Sequence, residues 1–163
     1  RRDGARYAAA LLAGICSGLG GRLFDELRER RSLAYTVHAW VAERVGAGSF
    51  MVYIATDPAR EEEARAALLA ELHRLREAPV SEAELARMQE YTVGAHAIAQ
   101  QNGSAVLAEV VDAWLLGEGL EELEHFERRI RAVTAQEILA YAAEALDPER
   151  RAEGLVRGRP SGA

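Results

Sequence analysis

Histidine and cysteine are the side chains used most often for metal binding and nucleophilic chemistry, and this 163-residue sequence contains four histidines and one cysteine. No two histidines have the i, i+4 spacing that would place both on one helix face as zinc ligands. A single cysteine excludes an internal disulfide and a four-cysteine zinc site. Because Cys16 lies in an apolar run, we expect a buried, unreactive thiol. The histidines are His38, His73, His96 and His125.

The nearest approach to a zinc-peptidase motif is segment 121–125, which ends in the last two letters of H-x-x-E-H. Its first position is Glu121 instead of histidine, and the segment is typical of a solvated helix face. The glycines in segment 18–21 follow a predicted helix and precede no lysine, which favours a turn over a phosphate-binding loop. G-x-S-x-G and C-x-x-C are also absent. We therefore expect neither metal-binding nor cofactor-binding residues in this chain.

The hydrophobic pattern of the first third predicts two helices and a hairpin. A run rich in alanine and leucine predicts a buried helix over residues 7–19, and a short amphipathic helix begins at residue 23. Apolar residues then alternate over 34–42 and 50–54, on either side of a glycine-bearing turn. This alternation predicts an antiparallel hairpin.

The remaining sequence is mostly helical in pattern. Asp57-Pro58 begins one helix, and capping boxes at Ser81/Glu84 and Thr134/Glu137 begin two others. Further helices are predicted over 104–116 and 120–131, and segment 154–156 is predicted as a strand that rejoins the hairpin. The fold class is therefore α+β, an antiparallel sheet with helices packed on one face. Three strands make a thin sheet, so we expect it to lack its first strand or strands.

Length and composition indicate one soluble globular domain over residues 1–163, since 49% of residues are hydrophobic and 28% charged. The net charge of −6 argues against a nucleic-acid or anionic-membrane partner. All 20 basic residues are arginine, which by itself identifies no partner. No apolar run approaches the roughly 20 residues of a membrane span. We expect a soluble protein of the cytoplasm or periplasm.

The most specific pattern is G-G-x-L-F-x-E-L-R-E-x-R-x-L-A-Y over residues 20–35. It resembles the C-terminal, zinc-free half of the pitrilysin/insulinase family of zinc metallopeptidases, which includes the mitochondrial processing peptidases. The sequence V-T-A-Q-E at 133–137, followed by Ala-Ala at 142–143 and Leu-Asp-Pro at 146–148, is similar to the usual ending of that family. The resemblance extends from about Asp3 to Gly158.

This resemblance implies that the chain is the inactive, substrate-binding half of a zinc-dependent endopeptidase. In the family, the other half binds zinc through H-x-x-E-H and a distant glutamate, and the two halves enclose the peptide. The zinc-free half contributes an arginine and a tyrosine, seven residues apart, that bind the substrate carbonyl. Arg28 and Tyr35 occupy those positions. The chain alone is expected to be inactive, with zinc on a partner domain or subunit and an oligopeptide or unfolded segment as substrate.

The implied roles agree with the chemistry of peptide hydrolysis. Negative charge develops on the carbonyl oxygen when water attacks, and a guanidinium and a phenolic hydroxyl directed at it would stabilise the tetrahedral intermediate. From spacing alone, Arg28 is a solvated helix residue and Tyr35 a half-buried strand residue. His38, on the opposite strand face, is expected to be structural. Trp40 and Trp114 are expected in the core or an interface.

Two other functions stay open from the sequence. A catalytically inactive structural or assembly subunit of the same fold would be marked by loss of the arginine and tyrosine, and this sequence retains both. A helical binding module unrelated to peptidases would make the sixteen-residue match accidental. An open sheet edge would also favour homodimers of the isolated chain.

Overall fold

A β-hairpin covered on one face by helices organises the fold. The computed structural model describes residues 5–18, 20–44, 47–115 and 119–158. Strand β1 (Thr36–Arg44) pairs antiparallel with β2 (Ala47–Ala55), in a register that runs from Thr36 opposite Ala55 to Arg44 opposite Ala47. The prediction of an antiparallel hairpin and an α+β fold is confirmed; β1 has the predicted length but lies two residues later in the chain, and β2 is longer than predicted.

Helices precede and follow this hairpin along the chain. Before it come α1 and a helix with π-type hydrogen bonding, which we call the π-helix. In the described residues after it come a 3-10 turn, five α-helices and a second 3-10 turn. Their bounds are α1 Ala5–Cys16, the π-helix Phe24–Arg30, the first 3-10 turn Pro58–Arg60, α2 Glu61–Glu77, α3 Glu82–Ala99, α4 Gly103–Leu115, α5 Glu121–Ala132, α6 Ala135–Ala145 and the second 3-10 turn Pro148–Arg150.

Helix α1 forms the centre of the core, as its apolar sequence predicts. It contacts β1, α3 and α6, and Leu11, Leu12 and Cys16 are completely buried. Burial raises the pKa of the Cys16 thiol to about 12, so this thiol stays protonated at neutral pH. After α1 the Ser17 hydroxyl donates to the Ala39 carbonyl at 2.8 Å and accepts from the Ala39 amide at 2.6 Å, which joins the end of the helix to β1.

The predicted helix starts are confirmed by their capping contacts. The Asp57 carboxylate accepts from the Ala59 amide at 2.8 Å in the turn before α2. Both capping boxes are complete, with the hydroxyl of Ser81 accepting from the Glu84 amide and the carboxylate of Glu84 accepting from the Ser81 amide. The pair Thr134/Glu137 does the same for α6.

The strand predicted over residues 154–156 is wrong. Residues 151–158 are irregular, and Val156 is 97% exposed. Ion pairs fix this segment beside α2 instead: Glu153 contacts Arg65 at 2.7 Å, and Arg157 contacts Glu61 at 2.7 Å. The segment does not pair with the hairpin, so among the described residues the sheet has only two strands.

The hairpin face away from the helices is exposed and aromatic. The His38 ring stacks on Trp40 with ring centroids 4.9 Å apart and lies 5.3 Å from Tyr53. Neither tryptophan is in the core, since Trp40 is partly exposed and Trp114, on α4, is 73% exposed. Of the two placements predicted for them, the core is therefore wrong, and an interface stays a prediction. Over the part of the chain that the structure describes, no helix combines the length and apolarity that crossing a membrane requires.

Candidate functional site

Arg28 and Tyr35 lie at the two ends of a short connection between the π-helix and β1. Arg28 is in the last half of the π-helix, and its side chain is exposed. Tyr35 immediately precedes β1 and is 83% exposed. The alternative prediction of a half-buried Tyr35 is therefore wrong, and Arg28 is solvated as its helical position predicts.

The backbone of the connection folds back onto the π-helix. The carbonyl of Leu27 accepts from the amides of Leu33 at 2.7 Å and Ala34 at 3.2 Å, and these three side chains are buried. Arg28 follows Leu27 directly, and Tyr35 follows Ala34 directly. The two candidate residues thus extend from neighbouring points of the backbone, although six residues separate them in the chain.

Ser32 makes this reversal possible by adopting a left-handed backbone, with φ 51°. Its amide donates to the Arg28 carbonyl at 3.0 Å, which closes the end of the π-helix. Helices commonly end on such a left-handed residue, usually glycine, because it lets late amides reach back to free carbonyls. A serine at this position bears a steric cost that glycine would avoid.

Tyr35 owes its exposure to an offset at the start of β1. Both Val37 and Ala39 are buried, so strict alternation would direct Tyr35 to the same covered face. The Tyr35 amide, however, donates to the Ala55 carbonyl at 2.8 Å, while the register places Thr36 opposite Ala55. Two residues facing one is the arrangement of a β-bulge, which redirects a side chain.

The charge of Arg28 is not neutralised by a carboxylate of the described residues. Its guanidinium lies over the Phe24 ring, 5.0 Å from the centroid, and it forms no ion pair with the acidic residues that the structure describes. By contrast, Arg30 on the same helix pairs with Asp25 at 2.9 Å. A cation–π contact at an exposed site is weak and leaves the donors of the guanidinium available. Arg28 can therefore bind an anion or a polarised carbonyl.

The beginning of the same segment is held by a different arginine. Arg22 donates two hydrogen bonds of 2.7 Å to the carboxylate of Glu84, the residue that also completes the capping box of α3. Hydrogen bonds from Arg22 lower the pKa of Glu84 to about 2, with a smaller contribution from Ser81. Just before it, Gly21 approaches Ser17 so closely that a Cβ would lie 2.2 Å from the Ser17 carbonyl oxygen. The pattern beginning at residue 20 is thus fixed to α1 and α3.

Of these structural features, the sequence could have indicated only one. The i, i+4 spacing of Phe24 and Arg28 could have predicted their contact. Nothing local predicts the offset at Tyr35, because it depends on where β1 and β2 meet, and a serine does not indicate a left-handed backbone at residue 32.

Metal ligands are not assembled in the described residues, where no group of three or more histidine, cysteine, aspartate or glutamate side chains could hold an ion. Segment 121–125, the nearest match to H-x-x-E-H, lies at the start of α5. The described side chains therefore do not fit a zinc site, and the chemistry available to them is hydrogen bonding and charge stabilisation.

Comparisons with known proteins identify the family and the fold. The family model described as the peptidase M16 inactive domain matches residues 2–91, more than half of the chain. An uncharacterized zinc protease of Streptomyces coelicolor is 25% identical over 147 residues, which cover 90% of this chain and 32% of that protein. An inactive peptidase domain from Bordetella parapertussis is 23% identical, with a TM-score of 0.79 over 94% of this chain and 84% of that chain.

A protease from Helicobacter pylori has the same fold, with a TM-score of 0.72 and 18% identity over 90% of this chain and 35% of that chain. The chain spans about a third of the length of the curated relative and of the Helicobacter pylori protease. The resemblance to the pitrilysin/insulinase metallopeptidases is confirmed, and this chain belongs to the peptidase M16 inactive-domain family.

Proposed function

We propose that this chain is the substrate-binding half of a zinc-dependent endopeptidase and that Arg28 and Tyr35 bind the carbonyl oxygen of the scissile peptide bond. The observation that carries the proposal is the fold-back at Leu27. The Leu27 carbonyl accepts from the amides of Leu33 and Ala34, so the backbone at Arg28, which has no carboxylate partner among the described residues, is close to the backbone at the exposed Tyr35. Two donors of this kind on a rigid connection suit an oxygen that gains negative charge.

The proposed mechanism assigns to this chain binding, orientation and charge stabilisation. The guanidinium of Arg28 and the hydroxyl of Tyr35 donate hydrogen bonds to the carbonyl oxygen, and both bonds strengthen as the tetrahedral intermediate forms. Each well-placed donor contributes a few kcal/mol to transition-state stabilisation. Zinc, which activates water for attack in such enzymes, would be bound by a partner half that carries H-x-x-E-H.

The proposed partner is a second domain or subunit outside residues 1–163. The match of this chain to about a third of a zinc protease supports the proposal that further domains complete the enzyme. In this arrangement, residues 1–163 form one domain that supplies a wall of the peptide chamber. An oligopeptide or an unfolded segment is the substrate that such a chamber accepts.

A reconstitution assay tests this function. The chain is combined with the H-x-x-E-H half, as separate subunits or as one polypeptide, and cleavage of a quenched peptide is followed with zinc present. We expect activity only when both halves are present. We expect Arg28→Ala and Tyr35→Phe each to lower kcat/KM by roughly 100-fold, the usual cost of removing one oxyanion donor.

Arg30→Ala is the matched control, because Arg30 is exposed on the same helix and engaged with Asp25. Its kcat/KM should stay within about twofold of the wild type, since surface ion pairs contribute little. Full activity of the Arg28 and Tyr35 variants would show that this domain encloses the substrate without binding its carbonyl oxygen through these residues. Tight association of the halves with no cleavage at all would favour a structural or assembly role.

A further inference from the structure

Another arginine, Arg60, contacts the connection between Arg28 and Tyr35 from a different part of the chain. Arg60 lies in the 3-10 turn between β2 and α2. Its Nη1 donates to the carbonyl of Ser32 at 2.9 Å, and both Nη atoms lie 3.4 Å from the carbonyl of Arg31. These carbonyls belong to the end of the π-helix, where no further helical amide can satisfy them.

The guanidinium of Arg60 is itself oriented by a carboxylate. Glu63, one turn along on α2, accepts from Nε at 3.0 Å and from Nη2 at 3.1 Å. A forked contact of this kind fixes the plane of the guanidinium, which a lysine ammonium could not do. Glu63 therefore orients Arg60 toward the two carbonyls.

We propose that Arg60 is a positioning residue that locks the left-handed turn at Ser32 and thereby fixes the relative placement of Arg28 and Tyr35. This inference rests on the proposed function and extends it to a residue 25 positions beyond Tyr35. Arg60 joins the π-helix to the turn that follows β2, and the Tyr35 amide is bonded to Ala55 at the end of that same strand. Arg60 and Ala55 thus attach the connection to the end of β2 and the turn that follows it.

Arg60 is suited to positioning and is not needed to maintain the core. Its side chain is 38% exposed, and the connection keeps its buried anchors, Leu33 and Ala34, when Arg60 is removed. A global stability effect should therefore be small. A misplaced carbonyl-binding pair, however, should slow turnover strongly, because oxyanion stabilisation depends on sub-ångström geometry.

The test compares Arg60→Ala and Arg60→Lys with the wild type by amide hydrogen exchange on this chain and by kinetics of the reconstituted enzyme. Arg65→Ala is the matched control, because Arg65 also makes a forked contact with a glutamate, Glu153, but does not contact the connection. We expect Arg60→Ala to speed exchange at Leu33, Ala34 and Tyr35 by about tenfold while α1 amides keep their protection.

In the enzyme we expect Arg60→Ala to lower kcat by about tenfold with KM within about twofold, and Arg60→Lys to restore part of that loss. Arg65→Ala should change neither the exchange nor kcat. Unchanged protection of the three amides, or a kcat loss equal to that of Arg65→Ala, overturns the inference. Full activity of Arg28→Ala and Tyr35→Phe overturns the proposed function instead, and this outcome is read independently of the exchange data.

Discussion

Two arginines of the same segment, Arg22 and Arg28, have opposite environments. Arg22 is largely buried and makes a forked ion pair with Glu84, which ties the segment to α3. Arg28, six residues later, is exposed, and its guanidinium lies over the ring of Phe24 with no carboxylate partner among the described residues. A guanidinium that makes a forked contact with a carboxylate holds structure, whereas one without such a partner among the described residues can bind a substrate.

The two ends of residues 22–35 therefore differ in their tasks. The beginning is fixed by a charged pair and by the close approach of Gly21 to Ser17. The end presents Arg28 and Tyr35 to solvent on a connection held by backbone hydrogen bonds. We therefore expect substitutions at the beginning to change stability and substitutions at the end to change catalysis.

The largest effect is expected for Arg28→Ala on catalysis. In the reconstituted enzyme, kcat/KM should fall by roughly 100-fold, while the free energy of unfolding of the chain should change by less than about 0.5 kcal/mol. Peptide cleavage and urea unfolding measure the two quantities. A loss of stability as large as the loss of activity would contradict the proposed division.

The second effect is the converse, a loss of stability for Arg22→Ala. Removing Arg22 leaves the partly buried Glu84 without its forked partner, so the free energy of unfolding should fall by about 1–3 kcal/mol. Urea unfolding measures the loss, and kcat/KM well below the unfolding midpoint should stay near the wild-type value. A tenfold drop in kcat/KM of the folded variant would show that Arg22 also acts in catalysis, and this would contradict the purely structural role assigned to it.

The same pair predicts a specific pH dependence of stability. The pKa of Glu84 is lowered to about 2 in the folded chain. The ionised carboxylate therefore adds to the free energy of unfolding above the ordinary carboxyl pKa, and this stabilisation is lost as the pH falls from about 4.5 toward 2. The difference in unfolding free energy between the wild type and Glu84→Gln should therefore shrink over this range. Urea unfolding at several pH values measures it, and a difference independent of pH would refute the assignment.

The smallest effect concerns the turn at Ser32. Glycine avoids the steric cost of φ 51°, so Ser32→Gly should stabilise the chain by about 0.5 kcal/mol. Ser49→Gly, in the extended backbone of β2, should instead destabilise it by about 0.5–1 kcal/mol. Thermal unfolding of both variants gives the comparison. Equal destabilisation would show that Ser32 bears no strain.

The sequence predicts most elements because their signals are local. Apolar periodicity and the capping boxes at Ser81/Glu84 and Thr134/Glu137 indicate the helices, and alternation indicates the hairpin. Segment 154–156 was mispredicted because a strand needs a neighbour. The ion pairs of Glu153 and Arg157 with α2 join residues 88 and 96 positions apart, and no local pattern reveals them.

The candidate site shows the same limit. The pattern over residues 20–35 identifies Arg28 and Tyr35, but it does not reveal that Arg28 has no carboxylate partner among the described residues. Nor does it indicate Arg60, whose contacts with the carbonyls of Arg31 and Ser32 follow from the path of β2. Positioning contacts between distant backbone segments emerge only in the folded chain.

A double-mutant cycle tests most directly whether Arg28 and Tyr35 act on one oxygen. Arg28→Ala, Tyr35→Phe and the double variant are compared by kcat/KM in the reconstituted enzyme. Two donors to the same developing charge act as a unit, so the double variant should lose little more activity than the more impaired single variant. Losses that multiply in the double variant, or single variants as active as the wild type, would contradict a shared carbonyl-binding site.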